Sequence, residues 1–407
     1  MEMMEQIKPT LFGYGLTTKA IAKKLGGGCT FFDDNVTEAY TDEAGNHIFP
    51  SALFDPEKSH LEVTTPSLKP NHPLIISAKN LHSEYDYFHK EMPFSIWISG
   101  TNGKTTTTQM LTHLLAKRGA LSGGNIGTPL AELDTNAPIW VLESSSFALH
   151  HTKIASPDIY LLLPITPDHL DWHETPEAYE ADKLRPLLTM KEGELALVPK
   201  GLNLPKTNAY VVEYDSNRFI EVYFKLDSSQ LRFKAAFLQD ALLALAVTKV
   251  LFDEADYALM NTFILDAHRQ EELKDTQGRL WVNDSKATNL DATIQAVKGY
   301  ADKHIHLILG GDDKGVDLTP LFEVMEPLNL TLYTIGANSD RLLALAKTYH
   351  INVIESQTIH NAVKHIDKVH TQESVALLSP AAASFDQFKS YKHRGETFMD
   401  LVKELKK

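Results

Sequence analysis

The chain has 407 residues, 43% of them hydrophobic, with one cysteine and a formal net charge of -14. Such a length gives two or three domains, each able to bury a core. The acidic balance excludes a nucleic-acid binder, which needs an extended basic face. The single cysteine, Cys29, excludes an intramolecular disulfide and fits a reducing compartment. The opening residues carry Glu2, Glu5 and Lys8 without an apolar centre, so they do not read as a secretory leader. No apolar run is read as reaching membrane-spanning length, and the expectation is a cytoplasmic protein.

Residues 1–92 begin with Leu11-Phe12-Gly13-Tyr14-Gly15-Leu16-Thr17-Thr18, a helix over Lys19 to Leu25, and a strand over Thr30 to Phe32 that ends in Asp33-Asp34. Glycines after a strand and an acid about 20 residues on are the layout of a nucleotide-binding βαβ unit. Thr18 replaces the third glycine, and a plain tight turn accounts for the same residues. Val63-Thr64-Thr65-Pro66-Ser67 and Leu74-Ile75-Ile76-Ser77 read as further strand-to-loop junctions.

Residues 93–265 open with the most informative segment. An apolar run, Phe94 to Ile98, leads into Gly100-Thr101-Asn102-Gly103-Lys104-Thr105, and Met110, Leu111, Leu114 and Leu115 then recur at helical spacing. Strand, glycine loop, Lys-Thr and helix make a phosphate cradle: backbone N–H groups take phosphate oxygens, the lysine meets the terminal phosphates, and a hydroxyl can hold Mg²⁺. The bland alternative is a Gly/Thr-rich turn. Ile139 to Leu142 runs into Glu143-Ser144-Ser145-Ser146, and Ile159 to Leu163 runs into Thr166-Pro167-Asp168-His169. Ligands of open α/β sheets gather where strands end. Glu143 there binds Mg²⁺, positions a nucleophile, or only satisfies a helix dipole. His169 and His173 stand four apart, but with no third ligand a single histidine in a Mg²⁺ site fits better than zinc. His173 reads as a surface or capping residue, and Lys183, by pattern, as a helix-surface lysine.

Residues 266–407 repeat the alternation. Ile305 to Leu309 ends in Gly310-Gly311-Asp312-Asp313-Lys314, Leu332 to Ile335 ends in Gly336, and Val375 to Leu378 ends in Ser379-Pro380. This reads as another doubly wound sheet. Asn283 to Asn289 either binds a ribose and a carboxylate or caps a helix starting near Asn289. Arg269 is either a cation for phosphoryl transfer or a surface ion pair.

Nine ordered blocks resemble the Mur ligases, most closely the branch that adds D-glutamate. They are Gly100 to Thr105, Gly124-Asn125-Ile126-Gly127, Glu143 to Phe147, Thr166 to Asp171, Lys183-Leu184-Arg185, His268-Arg269, Asn283 to Asn289, Gly310 to Lys314, and Leu378 to Asp386. The resemblance implies a three-domain α/β protein. A Rossmann-like nucleotide-binding domain over 1–92 would bind a UDP-linked substrate. A central P-loop ATPase-type domain over 93–265 would bind ATP. A Rossmann-like domain over 266–407 would bind the incoming amino acid and complete the ATP site.

The implied reaction is ATP-dependent phosphorylation of the carboxylate of UDP-N-acetylmuramoyl-L-alanine, followed by attack of the D-glutamate amine. It implies two Mg²⁺ ions, a monomer, and no nucleic-acid or membrane partner. By this resemblance Gly100, Thr101, Asn102, Gly103, Lys104, Thr105 and Thr106 hold ATP, together with Asp240, Arg269 and Asp284. Lys104, Glu143, His169 and Lys183 are catalytic. Thr105, Glu143, His169 and a carbamylated Lys183 hold metal. Leu16, Thr17, Asp33, Asp34, Asn125, Ser145 and His169 meet the UDP substrate. Lys286, Thr288, Lys314, Ser384, Phe385 and Tyr391 hold D-glutamate.

There are three departures from the family pattern: Gln239-Asp240 stands for a His-Asn pair near the adenine, Leu243 for an asparagine, and Tyr391 for phenylalanine. The alanine-adding branch usually has His at Asn102. The branch adding diaminopimelate or lysine, like the folylpolyglutamate synthases, lacks a unit like Gly13-Tyr14-Gly15. An inactive relative binding UDP-sugar peptides is the reading from another class. Intact Lys104, Glu143, His169 and Lys183 oppose it, and ATP-dependent phosphate release discriminates.

Overall fold

A computed structural model describes residues 8–405, so the reading of Glu2 and Glu5 lies outside the described residues. The first sheet contains β1 (Thr10–Phe12), β2 (Thr30–Asp33), β3 (Tyr40–Thr41), β4 (His47–Pro50), β5 (Glu62–Thr64) and β6 (Leu81–His82), in the order β3-β4-β2-β1-β5-β6. All its pairs are parallel except β3 with β4. The helix crossing from β1 to β2 is Leu16–Lys24 and starts earlier than the expected Lys19. Thr18 explains this: its hydroxyl accepts from the Gly15 N–H at 3.3 Å and donates to the Gly13 carbonyl at 2.6 Å. The residue standing where a third glycine was expected therefore closes the first turn.

One expected strand end is a helix. Residues Pro73–Ser77 are helical because His72 Nδ1 accepts from the Leu74 N–H at 3.2 Å and Pro73 sits at the first position. Proline lacks the N–H that this position leaves unbonded, and its fixed φ suits a helix start.

The second sheet contains β7 (Phe94–Ser99), β8 (Ala120–Gly124), β9 (Ile139–Glu143), β10 (Ile159–Leu162), β11 (Leu195–Pro199) and β12 (Tyr210–Tyr214), in the order β12-β11-β10-β7-β9-β8, entirely parallel. Both faces of a parallel sheet are covered, so its strands read as continuous apolar runs. Trp97, Trp140 and Tyr160 are completely buried, each contributing about 2–3 kcal/mol of hydrophobic stabilisation.

The third sheet contains β13 (Glu271–Lys274), β14 (Leu280–Asn283), β15 (His304–Leu309), β16 (Leu330–Ile335), β17 (Asn352–Gln357) and β18 (Ser374–Leu378), in the order β13-β14-β18-β15-β16-β17. Only β13 with β14 is antiparallel.

The chain packs as two compact units. One comprises the residues up to Leu231 with Asp240–Asn261; the other comprises Arg232–Gln239 with the residues from Thr262 onward. The first unit holds the first two sheets, joined in one core where the Tyr85 ring meets Trp97 at 4.6 Å.

The helix Ala235–Phe252 corrects the expectation about membrane-length runs. It has 18 residues of mean hydropathy 1.7, enough by length and composition to cross a membrane. Leu242, Leu243, Leu245 and Val247 are completely buried, and a helix apolar all round is also what a protein core requires.

Candidate active site

The phosphate loop follows β7, at the middle of the second sheet. β9 lies on one side and β10 on the other, with Ile98 opposite Glu143 and Ser99 opposite Leu162. Three strand ends therefore open onto one place. The loop needs its glycines. Gly100 has φ +140 and Gly103 φ +82, and a Cβ at Gly103 would lie 2.7 Å from Asp240 Oδ1. The helix Lys104–Leu115 starts from Gly103 with no side-chain cap, leaving first-turn N–H groups directed at an incoming anion. Lys104 Nζ donates to the Gly100 and Thr101 carbonyls at 2.9 and 2.8 Å, which holds the ammonium on the loop. Thr101 Oγ1 accepts from the Thr166 N–H and donates to the Thr166 carbonyl, both at 2.9 Å. That latch joins the loop to the segment after β10.

Glu143, at the end of β9, is 2% exposed. Asn125 Nδ2 donates to its Oε1 at 2.6 Å, while Oε2 is buried without a hydrogen-bond partner. A buried carboxylate oxygen left open costs stability unless a ligand occupies it. Tyr85 OH donates to the Glu143 carbonyl at 3.3 Å and meets Ser144 Oγ at 3.0 Å, which fixes the adjoining backbone.

After β10, His169 sits at φ 53 and starts the helix Leu170–His173. Its imidazole is half-exposed, packs 4.8 Å from Phe147, and is held below its ordinary pKa by burial and by the Lys104 and Lys183 charges. The neutral form is the one that ligates metal. His173, expected at the surface, is buried instead. Its Nδ1 meets Asp182 Oδ2 at 2.9 Å and its Nε2 meets Ser146 Oγ at 2.9 Å, so neither nitrogen is available for zinc. Asp182 also binds His150 and Arg185. Burial alone would raise its pKa, but the His150 and His173 hydrogen bonds outweigh burial and hold it well below the carboxylate range.

Lys183 is 1% exposed, not a surface lysine. Its Nζ donates to the Gly100 carbonyl at 2.7 Å and lies 4.7 Å from the Tyr179 ring centroid. Burial, then the Lys104 charge, holds its ammonium well below the ordinary value. A neutral buried amine is a nucleophile. Among the described residues no group of three or more His, Cys, Asp or Glu could hold a metal. A Mg²⁺ site needs no such cage, because Mg²⁺ keeps waters and takes substrate phosphates beside one or two carboxylates. Glu143, His169 and the half-buried Thr105 are a donor set of that kind.

At the end of β2, Asp33 accepts from the N–H groups of Tyr14 and Asn35 at 2.6 and 2.8 Å, which fixes it beside the glycine turn. Asp34 is bonded by Ser51 and, at 2.8 Å, by His72. Leu16 is 64% exposed and Thr17 half-buried. Asn125 N–H donates to the Glu143 carbonyl at 2.8 Å, and Ser145 Oγ caps the helix Ser146–His151.

In the second unit, Asp284 follows β14 and accepts from Ser379 Oγ at 2.8 Å and the Gln270 N–H at 3.2 Å. Burial pushes its pKa up to about 7 against those bonds. Arg269 has a buried Nε without a hydrogen-bond partner, unlike a surface ion pair. Asn289 does cap a helix, Leu290–Gly299. Lys286 Nζ lies 5.7 Å from the Tyr391 ring. Thr288 and Lys314 are exposed, Ser384 is 2% exposed and Phe385 74%. Their loops follow the ends of β14, β15 and β18, which are in register at Asn283, Leu378 and Ile308. Sequence reasoning missed Ser285, Asp182 and Arg394. Ser285 lies within the Asn283 to Asn289 block but had no role of its own there, Asp182 and Arg394 lie outside every block, and only burial of a charged or polar group marks the three.

Residues 98–240 match the Mur ligase middle domain. A UDP-N-acetylmuramoylalanine–D-glutamate ligase of Campylobacter jejuni subsp. jejuni serotype O:23/36 (strain 81-176) is 48% identical over 402 residues, 98% of this chain and 100% of its own. One of Helicobacter pylori (strain J99) is 45% identical over 419 residues, 97% of this chain and 99% of its own. MurF ligase from Thermotoga maritima, in complex with ADP, has the same fold, with a TM-score of 0.56 at 16% identity and coverage of 98% of each chain. The chain belongs to the Mur ligases, in the UDP-N-acetylmuramoylalanine–D-glutamate ligase family.

Proposed function

We propose that this chain joins the amine of D-glutamate to the carboxylate of UDP-N-acetylmuramoyl-L-alanine in an ATP-dependent reaction, making a peptidoglycan precursor in the cytoplasm as a monomer. The observation that carries the reading is the convergence at β7, β9 and β10 of the phosphate loop, a buried carboxylate with an open oxygen, and a buried lysine of lowered pKa.

A substrate carboxylate oxygen attacks the γ-phosphorus of ATP, and ADP leaves. The D-glutamate nitrogen then attacks the carbonyl carbon of the acyl phosphate. The tetrahedral intermediate collapses to the amide, and phosphate departs with the original carboxylate oxygen. The protein's task is positioning and charge neutralisation. Gly100 to Thr106 cradle the phosphates, and Lys104 supplies a point charge. Thr105, Glu143 and His169 would hold Mg²⁺, which would neutralise phosphoryl charge when bound. Lys183, if carbamylated by addition of its neutral nitrogen to CO₂ with loss of a proton, would supply an anionic oxygen as a further metal ligand.

Leu16, Thr17, Asp33 and Asp34 take the uridine end, and Asn125, Ser145 and His169 the muramoyl and diphosphate part. Arg269 and Asp284 take the ATP phosphate and ribose. The Asp240 carboxylate, beside Gly103, contributes to ATP binding where the family usually has asparagine. Lys286, Thr288, Lys314, Ser384, Phe385 and Tyr391 take D-glutamate. Residues 1–92, 93–265 and 266–407 act as the UDP-substrate, ATP and amino-acid domains.

The test is UDP-N-acetylmuramoyl-L-alanine labelled with ¹⁸O in its carboxylate, turned over with ATP, Mg²⁺ and D-glutamate. One ¹⁸O is expected in each released phosphate; unlabelled phosphate rejects the acyl-phosphate route.

A further inference from the structure

One buried cation lies outside every role assigned so far. Arg394, on the helix Tyr391–Lys403, is 1% exposed. Its Nε donates to Ser285 Oγ at 3.0 Å, and its Nη2 donates to the carbonyls of Ser285 and Ala382, each at 3.0 Å. Its Nη1 donates to the Ala383 carbonyl at 3.4 Å. Asp312 and Ala383 exchange backbone hydrogen bonds of 3.0 and 2.9 Å, which brings in the segment leading to Lys314. One guanidinium thus fastens the strap carrying Lys286 and Thr288 to the strap carrying Ser384 and Phe385, and through the latter the strap carrying Lys314. Ser285 Oγ adds a bond to the Tyr391 carbonyl at 2.8 Å.

The charge of Arg394 is as informative as its geometry. Among the described residues no carboxylate accepts a hydrogen bond from it; all four acceptors are neutral. Asp386, whose charge acts on it, is exposed and accepts instead from the Ala337 N–H at 2.8 Å. Removing a guanidinium from water is costly unless a counter-charge offsets it. Carbonyls and a hydroxyl satisfy its donors but do not cancel its positive charge under the loops. If rigidity were the sole requirement, neutral packing would meet it at lower cost. A buried cation without a bonded anion suits a pocket whose ligand brings the anion, and D-glutamate brings two carboxylates.

We infer that Arg394 is a positioning residue for the amino-acid substrate: it sets the three binding straps relative to one another and supplies the buried positive charge that the substrate's carboxylates neutralise. The inference rests on reading those straps as the D-glutamate site.

The test compares KM and kcat for D-glutamate, ATP and the UDP substrate in wild type, R394M, R394K and S285A. R394M is expected to raise KM for D-glutamate about 30-fold, with KM for ATP unchanged within about 3-fold. R394K keeps the charge and loses the fork, so its rise is smaller, about 5-fold. S285A removes two neutral ties, to Arg394 Nε and to the Tyr391 carbonyl, and raises it about 3-fold. If R394M does not fold, R394K and S285A decide. A selective rise in KM for D-glutamate supports the inference, and an unchanged KM, or one rising in step with that for ATP, overturns it. Wild type without D-glutamate-dependent turnover overturns the site reading and the inference together. Wild type with such turnover but no selective effect in the variants overturns the inference alone.

Discussion

The ends of β7, β9 and β10 and the ends of β14, β15 and β18 are both arranged for anionic ligands, by opposite constructions. At the first, strand, glycines, lysine and helix start follow one another in the chain, the register of β9 on β7 delivers Glu143, and the Thr101 latch holds Thr166. Its key lysines are tied to the Gly100 carbonyl. At the second, the side chains proposed for the amino acid include exposed Lys314 and Phe385, and their backbone is fastened by Arg394 from a separate helix. The phosphate cradle carries its rigidity in its own sequence, whereas the amino-acid loops borrow theirs. A reaction common to many relatives needs the first arrangement. In the second, the side chains proposed for the amino acid are separate from the staple that holds their backbone.

The largest effect that would break this contrast is at Lys104. Lys104→Ala is expected to lower phosphate release about 10³-fold, since a charge lost from a preorganised phosphoryl site costs that order. A loss below about tenfold would mean that the loop's N–H groups suffice without the lysine.

Next comes Asp284, in the second region. Its folded pKa is about 7, against about 3.9 for an unfolded chain. Between those values the native state keeps a proton that the unfolded state has lost, so stability falls as pH rises from about 4 to 7. Each tenfold difference in proton affinity between the two states corresponds to about 1.4 kcal/mol. Asp284→Asn, always neutral, is expected to remove a few kcal/mol of that decline, read by urea unfolding at several pH values. Parallel pH curves for wild type and variant would contradict the burial of a protonated carboxyl there.

The smallest effect sharpens the claim that the cradle is sterically fixed. Gly103→Ala meets both a positive φ and Asp240 Oδ1 at 2.7 Å, whereas Gly26→Ala meets a φ of +77 with nothing within 4 Å. The Gly26 variant is expected to lose about 1 kcal/mol from backbone strain alone, and the Gly103 variant about 2 kcal/mol with a raised KM for ATP. Equal losses would show that Asp240 yields freely.

The two regions also differ in how far they were legible in the sequence. The strand, glycine loop and helix of the cradle were readable because each has a local cause: an apolar run, a φ requirement, a periodic face. The ends of β9 and β10 were readable for the same reason. The resemblance, not the pattern, pointed to Lys183, because a lysine in a helix looks exposed until the packing of Tyr179 and the Gly100 carbonyl around it is known. His173 was misjudged because its partners, Asp182 and Ser146, arrive from two other helices. Leu74 to Ser77 misread as a strand end because four apolar and small residues suit either structure, and the His72 cap decided. Arg394 was invisible for a related reason: its acceptors are mostly backbone carbonyls, and carbonyls leave no trace in residue identity.

The most direct measurement is phosphate release from ATP and Mg²⁺ with UDP-N-acetylmuramoyl-L-alanine, adding one amino acid at a time and weighing the product. The account expects release with D-glutamate alone, matched mole for mole by an amide whose mass exceeds the substrate's by one glutamyl residue. Release with a different amino acid, or none with D-glutamate despite bound nucleotide-sugar, would contradict it.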